Sequence, residues 1–164
     1  MDVTLIVDGA NVMGSRADGW WRDRAGAMAR LHGELAELAV RGVRGPVPGD
    51  PASREADSGG PAGSGEGSGS GGGPQAGEDA SGRWYPHVYL VVEGRARAVL
   101  DLVAPAPRVR VVAAQGEGDD EIASLAGRLT GPRVVVTADR ELRGRCEAAG
   151  AAVAGPGWLI RQFG

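Results

Sequence analysis

Short apolar runs alternate along this chain with longer segments that carry one apolar face at helical spacing. The runs cover residues 3–7, 87–92, 109–113, 134–136 and 151–154. Runs that are apolar throughout are typical of strands buried on both faces, and their alternation with helices favours parallel pairing. The sequence therefore predicts an α/β fold, a three-layer parallel sheet of about five strands with helices on both faces.

Five segments between and after these runs have the spacing of amphipathic helices. In residues 20–41, apolar side chains recur every three or four positions from Trp21 to Leu38. Asp18 precedes this segment and is suited to cap it, while the stretch around Gly14 is expected to form a loop. The other helices are predicted at 96–103, 119–129, 140–149 and 158–163.

Residues 45–82 differ in composition from the rest of the chain. They include 13 Gly, 6 Ser and 5 Pro among 38 residues, no aromatic residue, and Val47 as the one large aliphatic side chain. Such a segment cannot bury enough apolar surface to offset the entropy that is lost on ordering. We therefore predict a single domain over residues 1–164, interrupted at 45–82 by a disordered insertion. Whether this insertion binds a partner is left open.

Several classes of protein are excluded by features that the chain lacks. No apolar run approaches the roughly 18 residues of a membrane span, and the first residues lack a signal-peptide pattern. The single cysteine, Cys146, is expected in the core rather than in a disulfide. His32 and His87 are isolated, which argues against zinc, and no P-loop or dinucleotide fingerprint is present. We expect a cytoplasmic protein with no membrane association.

Three of the predicted strands are followed by acidic residues: Asp8, the pair Asp119 and Asp120, and Asp139. Taken singly, each has an ordinary role as a turn residue, a helix N-terminal charge or an N-cap. The carboxyl ends of parallel strands share one edge, however, and convergent carboxylates repel one another unless a cation neutralises them. Oxygen ligands at such an edge predict Mg²⁺ or Mn²⁺.

The same three segments resemble the motifs of an NYN domain, which belongs to the PIN-like, FLAP-nuclease-like group of metal-dependent nucleases. The motifs, as they stand here, are Val7-Asp8-Gly9-Ala10-Asn11-Val12, Gly118-Asp119-Asp120-Glu121-Ile122 and Val136-Thr137-Ala138-Asp139-Arg140-Glu141-Leu142. The resemblance covers nearly all of the chain except the insertion. It implies a parallel sheet of strand order 3-2-1-4-5 and a nuclease that acts on RNA.

The resemblance also implies roles for individual residues. Asp8 corresponds to the first metal-binding carboxylate, and Asn11 to the polar residue that supports this carboxylate and the substrate. Asp139 corresponds to the acid after the fourth strand. The Thr137 hydroxyl lies beside that acid and is a candidate contact for the substrate.

Two further positions are less narrowly assigned by the resemblance. Asp119 or Asp120 corresponds to the acid that opens the helix after the third strand, with a slight preference for Asp120. An additional acid is common in PIN-like sites, and here the candidates are Glu93, after the second strand, and Asp23, at the start of the first helix. The number of bound metal ions is therefore left open.

Five arginines flank the same edge in this arrangement and are candidates for holding a phosphate backbone. All 18 basic residues of the chain are Arg, whose planar donor fork suits phosphate. Solvated helix charges are the alternative for each of them. Trp20 and Trp21 are adjacent, so one is expected to face the core, and the other, if exposed, is suited to stack on a base. The candidate arginines are Arg16, Arg22, Arg24, Arg140 and Arg143.

The leading hypothesis is a metal-dependent nuclease, an endoribonuclease or RNA-processing phosphodiesterase. It would use Mg²⁺ or Mn²⁺ held by Asp8, Asp139 and Asp119 or Asp120, with single-stranded or structured RNA as its partner. One alternative is a hydrolase of small phosphate esters or nucleoside triphosphates, which the same carboxylates would serve. Another is an RNA-binding protein with weak turnover or none. The oligomeric state, including a homo-oligomer, is left open.

Overall fold

The computed structural model describes residues 3–16, 19–49 and 82–163. The strands are β1 (Thr4–Asp8), β2 (Val43–Arg44), β3 (Arg83–Trp84), β4 (His87–Val92), β5 (Val109–Ala113), β6 (Arg133–Val136) and β7 (Ala152–Ala154). Five of them form one parallel sheet in the order β5-β4-β1-β6-β7. Counted within this sheet alone, that order is 3-2-1-4-5, so the predicted fold is confirmed.

Helices cover both faces of the sheet and connect its strands. The α-helices of the described residues are α1 (Gly9–Gly14), α2 (Arg24–Arg41), α3 (Gly118–Arg128), α4 (Arg140–Ala148) and α5 (Pro156–Phe163). Tighter 3₁₀ turns occupy Trp20–Arg22 and Gly94–Asp101, the second where an α-helix was expected at 96–103. None of the helices in the described ranges is both long and apolar enough to cross a membrane.

The first part of the chain differs from two predictions. The expected loop around Gly14 is the short helix α1, which forms because the Asp8 carboxylate accepts the Asn11 backbone N–H at 3.3 Å and caps the helix. The helix predicted at 20–41 is interrupted at Asp23, which leaves helical geometry and caps α2 by accepting the Gly26 N–H at 2.9 Å. Asp18, the predicted cap, lies outside the described residues.

The side chains of the central strand β1 alternate between two apolar layers. Leu5 and Val7 are buried against the layer of α1, α2 and α5, and Ile6 against the layer of α3 and α4. Burial of each such side chain stabilises the fold by about 1.5–3 kcal/mol. Cys146 lies fully buried in the second layer as a free cysteine, so its predicted core position is confirmed. Because β1 is packed on both faces, the position of its last residue is fixed.

The ends of the predicted insertion are held together by the two-stranded antiparallel sheet of β2 and β3. Trp84 in β3 is fully buried, and its indole N–H donates to the Gly45 carbonyl at 3.1 Å. Val47 is buried in the first apolar layer, so residues 45–49 contribute to the packed body. Residues 50–81 lie outside the described residues, and their disorder stays a prediction.

Gly9 opens α1 at a point where the helix runs close to the neighbouring strand. A Cβ atom at this position would lie 2.7 Å from the Val91 carbonyl oxygen and 2.9 Å from the Met28 Cε atom. The first contact is with backbone in the centre of the sheet, which cannot move aside cheaply. Close packing against β4 therefore requires glycine at position 9, in addition to any role of this residue in the turn after β1.

We expect Gly9→Ala to lower the free energy of unfolding by about 1–3 kcal/mol, the usual cost of overpacking a core. Gly33→Ala is the matched control, because Gly33 lies inside α2 and has no atom within 4 Å of its Cβ position. That change should raise the free energy of unfolding by up to about 1 kcal/mol through better helix propensity. Urea denaturation measures both values, and equal effects would contradict the close approach at Gly9.

Replacing residues 50–81 with a short Gly/Ser linker should leave the free energy of unfolding within about 1 kcal/mol of the parent value. The physical reason is that β2 and β3 already hold the two ends of this segment side by side. Urea denaturation of the shortened chain tests the expectation. Loss of cooperative unfolding would mean that residues 50–81 are required for the folded core.

Candidate active site

The carboxyl edge of the sheet gathers four acidic side chains, which we call the carboxylate cluster. Asp8 ends β1, and Glu93 directly follows the neighbouring strand β4. Asp139 follows β6 on the other side of β1 and caps α4, and Asp119 lies in the first turn of α3. The order in which strands are added reverses at β1, so the cluster lies where open α/β sheets bind ligands.

Asp8 is the buried member of the cluster, with 6% of its surface exposed. Its Oδ1 atom accepts the Asn11 backbone N–H at 3.3 Å, and its Oδ2 atom accepts the Thr137 hydroxyl at 2.9 Å. The second bond joins positions 129 residues apart in the sequence. These bonds fix the orientation of the carboxylate, and each oxygen keeps a lone pair for a further partner.

Asn11 and Thr137 connect the two central strand ends to each other. The Asn11 side-chain oxygen accepts the Ala138 backbone N–H at 3.0 Å, which ties α1 to the segment after β6. The Thr137 hydroxyl oxygen also accepts the Asp139 backbone N–H at 3.2 Å, and Thr137 is fully buried. Thr137 is therefore a positioning residue for Asp8, and its burial keeps its hydroxyl from direct contact with a ligand in this structure.

The electrostatics of the cluster disfavour the charged form of Asp8. Burial is the largest cause that raises the pKa of Asp8 above its ordinary value of 3.8. The hydrogen bonds from Thr137 and Asn11 oppose this rise, whereas the negative charges of Asp119 and Glu93 add to it. The carboxylate is thus held at a position where a cation would relieve both the burial and the repulsion.

Asp119 is affected in the same way from the other side of the cluster. Burial is again the first cause that raises its pKa above 3.8, and the charges of Asp139, Glu93 and Glu117 raise it further. Arg145 opposes this effect. Both raised pKa values arise in part from neighbouring carboxylates, so the acidic side chains interact through space.

Glu93, one of the two candidates for an additional acid, is a member of the cluster. Its Oε2 atom accepts a short hydrogen bond from the Gly118 backbone N–H at the start of α3. A Cβ atom on Gly118 would lie 3.0 Å from that same oxygen, so glycine makes room for the contact. Asp23, the other candidate, caps α2 instead.

Asp119 and Asp120 point in different directions, because consecutive residues of an α-helix are rotated by about 100°. Asp119 is partly buried and faces the charges of Asp139 and Glu93. Asp120 is exposed, and its carboxylate lies 3.1 Å from the Arg145 guanidinium. The geometry therefore favours Asp119 over Asp120 as the acid of α3 that belongs to the cluster.

The donor chemistry of the cluster fits a hydrated divalent cation. Among the described residues, no three His, Cys, Asp or Glu side chains are arranged to hold one ion together. Mg²⁺, however, usually binds a protein through one or two carboxylates and keeps several of its waters. Carboxylate oxygens with raised pKa values and unused lone pairs are suitable ligands for such an ion. Mg²⁺ or Mn²⁺ binding at this site stays a prediction.

Arg16, predicted to contact phosphate, is engaged in a structural ion pair. Its guanidinium forms two hydrogen bonds with the Glu34 carboxylate, at 2.6 and 2.7 Å. It also lies over the Phe163 ring, 5.2 Å from the centroid. Arg16 thus links the end of α1 to α2 and α5, which limits its use for a ligand.

The two adjacent tryptophans differ in exposure, as the sequence predicts. Trp20 is partly buried against the first apolar layer, whereas Trp21 is 57% exposed. The guanidinium of Arg24 lies 5.6 Å from the Trp20 ring centroid, and that of Arg22 lies 6.0 Å from the Trp21 ring centroid. Both arginines are exposed, so their donors face solvent beside the aromatic rings.

Three arginines lie on α4, beside the cluster. Arg140 is exposed at the first position of the helix, and Arg143 is partly buried one turn later. Sequence reasoning missed the third, Arg145, which pairs with Asp120 and acts on Asp119. It also missed Glu117, although the acidic run from 117 to 121 was a visible signal. A search for polar residues directly after strands does not find either residue, because Arg145 lies within α4 and Glu117 directly precedes α3.

The fold is similar to that of a solved protein. The crystal structure of a mutant of Rae1 (YacP) from Bacillus subtilis matches with a TM-score of 0.60 and 18% sequence identity. The match covers 99% of this chain and 75% of that chain. The chain matches no protein-family model and no curated protein. At this identity, the similarity establishes the fold alone.

Asp8→Asn should gain stability relative to the parent protein as the pH rises. A carboxyl group whose folded pKa is raised stabilises the fold fully below its unfolded pKa, and this contribution is lost as the pH rises through the folded pKa. The asparagine does not ionise and escapes that loss. Urea denaturation in EDTA, at about pH 4 and about pH 7, should therefore show that the stability of the variant relative to the parent protein is greater at the higher pH. A difference independent of pH would contradict the unfavourable burial of this charge.

Proposed function

We propose that this chain is a metal-dependent nuclease that hydrolyses phosphodiester bonds in RNA. The observation that carries the proposal is the buried Asp8 carboxylate, which is held by Thr137 and Asn11 against the negative charges of Asp119 and Glu93. A fold does not retain such a repulsive arrangement for stability, and perturbed carboxylates in a cleft are typical of catalytic sites. The resemblance of the three motifs to NYN domains supports the choice of RNA.

In this proposal, Mg²⁺ or Mn²⁺ would be bound directly by one or two of the carboxylates Asp8, Asp119 and Asp139 and would keep waters as its other ligands, with Glu93 as a further acid. The bound ion would supply an activated water and stabilise charge on the phosphoryl oxygens. Thr137 and Asn11 keep the Asp8 carboxylate in one orientation, so the site needs little rearrangement when the ligand arrives. Asp139 has one oxygen bonded to the Leu142 N–H at 3.1 Å and the other available.

The surroundings of the cluster favour a polymer over a small phosphate ester. A cavity beside the cluster is lined by the acidic side chains of Glu93 and Glu117 together with Trp20 and Arg24. The cavity thus places a cationic and an aromatic side chain next to acidic ones, which suits a strand with repeating phosphates and bases.

The fold similarity is compatible with this proposal, although it carries no argument about activity. The alternative hypothesis, an RNA-binding protein without turnover, differs from the nuclease hypothesis in one measurable respect. It predicts binding that does not depend on the carboxylates, whereas a nuclease loses turnover when a carboxylate is neutralised. The two adjacent aspartates of α3 provide the sharpest comparison, because they have similar chemistry and different positions.

Metal-dependent cleavage of labelled single-stranded and structured RNA should fall by about a hundredfold or more in Asp8→Asn and in Asp119→Asn. Both changes remove a negative charge from the cluster and keep the size of the side chain. Asp120→Asn should change the rate by less than about threefold, because that carboxylate faces Arg145 at the exposed side of α3. The rates are compared in Mg²⁺, Mn²⁺ and EDTA.

The controls separate a lost site from a lost fold. Each variant is first shown by urea denaturation to unfold cooperatively and to be fully folded under the conditions of the cleavage assay. The proposal is wrong if the folded parent protein cleaves no RNA in either metal. It is also wrong if cleavage persists in EDTA, or if Asp120→Asn is as damaging as Asp119→Asn.

A further inference from the structure

An exposed tryptophan lies at the rim of the proposed site. Trp21 is 57% exposed in the 3₁₀ turn that precedes α2, while its neighbour Trp20 is packed against the core. The two rings meet edge to face, with centroids 6.2 Å apart and an interplanar angle of 86°. Trp20 therefore braces Trp21 in one orientation, which lowers the entropy that a ligand must remove when it stacks on the outer ring.

Three arginines share a cavity with this tryptophan. Arg22, Arg24 and Arg95 line one cavity together with Trp21. Within the described ranges, none of the three forms an ion pair with a carboxylate, in contrast to Arg16, which is paired with Glu34. The acidic residue of the cavity, Asp23, uses its carboxylate to cap α2. The surface therefore combines an accessible aromatic ring with unneutralised positive charge, which is complementary to a nucleotide.

This surface continues into the carboxylate cluster. Arg24 lines the cavity of Trp21 and also the neighbouring cavity that contains Trp20 and Glu93. Glu93 in turn interacts with Asp8 through space. The order along this path is an aromatic ring, then arginines, then carboxylates. A single strand that stacks a base at one end would thus carry a following phosphodiester toward the acidic end.

We propose that Trp21 is a stacking platform for an unpaired nucleobase, with Arg22, Arg24 and Arg95 pairing to the phosphates on either side of it. The proposal rests on the proposed nuclease function and adds to it that the site takes single-stranded nucleic acid. Stacking requires the open face of a base, which a duplex does not offer. RNA and DNA share this chemistry, and the choice between them is made by separate oligonucleotides in the test.

The test measures binding in EDTA, so that it does not depend on cleavage. Oligouridylate and oligothymidylate of about ten nucleotides, and a blunt-ended RNA duplex without a loop, are titrated against the full chain. Oligouridylate should quench tryptophan fluorescence, and Trp21→Ala should remove most of this quenching and weaken binding about tenfold. Trp21→Phe should restore the affinity to within about threefold, because phenylalanine keeps a stacking face. The same size of loss with oligothymidylate would assign the platform to DNA as well.

Two further variants define the specificity of the effect. Val40→Ala removes another exposed apolar side chain, 75% exposed on α2, and should leave the affinity unchanged. Arg95→Gln should lower the dependence of log Kd on log salt concentration by about 0.7, the value for one phosphate contact on a single strand. Binding of the RNA duplex should be the same in the parent protein and in Trp21→Ala.

The outcomes distinguish this inference from the function on which it rests. Unchanged oligouridylate affinity and quenching in Trp21→Ala would overturn the platform, even if the parent protein cleaves RNA. An equal loss of affinity for the RNA duplex would also overturn it, because paired and stacked bases do not offer an open face to the tryptophan. Binding that depends on Trp21 without any metal-dependent cleavage would support the platform and overturn the nuclease.

Discussion

The hydrogen bond between the Thr137 hydroxyl and the Asp8 carboxylate is the interaction on which the site depends. It crosses the pair of central strands at their carboxyl ends, between two buried side chains. Without it, a carboxylate with 6% exposure would have no partner for its second oxygen, and an unpartnered buried charge is one of the most costly groups in a protein. The bond makes burial of Asp8 tolerable without neutralising its charge. The charge thus stays available for a cation.

The same residues serve the fold and the site, and this dual role sets the cost of changing them. Asp8 caps α1 and Asp139 caps α4, so both acids satisfy a helix N–H group with one oxygen, while their negative charges act on Asp119 or are acted on by it. The arginines, in contrast, fall into two groups, those paired with a carboxylate and those that are not. Arg16 and Arg145 are committed to Glu34 and Asp120, whereas the arginines near the exposed tryptophan have no such partner among the described residues. Charge count alone does not reveal this division, because it depends on which carboxylates lie within reach.

Much of the sheet was predictable because its strands are apolar on both faces. The strands at 87–92 and 109–113 lie where they were expected, because short runs that are apolar throughout are typical of strands buried on both faces of a sheet. The helix α1 was missed because its six residues begin and end with glycine and carry no amphipathic pattern. The helix depends instead on the Asp8 side chain, which caps its N-terminus. The strands β2 and β3 were also missed. Each has only two residues, and the two are separated in the sequence by residues 45–82, so no local pattern predicts that they pair.

The candidate site was predictable in outline but not in detail. Acidic residues at strand ends point to a shared edge whatever the side-chain geometry, so Asp8 and Asp139 follow from the fold. The choice between Asp119 and Asp120 does not, because adjacent helix positions differ only in rotation, and the packing of α3 decides which one turns inward. Glu93 was one of two candidates, and its contact with the Gly118 backbone became visible only in three dimensions.

The small sheet of β2 and β3 has a consequence for how foreign sequence could be attached to this protein. β3 leads within a few residues into the first residue of β4, and Gly49 lies against Ala152, the first residue of β7. Both anchor points therefore belong to the amino edge of the sheet, on the opposite side from the carboxylates. A strand of five residues separates the two edges by about 17 Å. A fluorescent protein or an affinity tag grafted between positions 49 and 82 would leave from the back of the molecule, with its junctions already clamped and the acidic edge unobstructed.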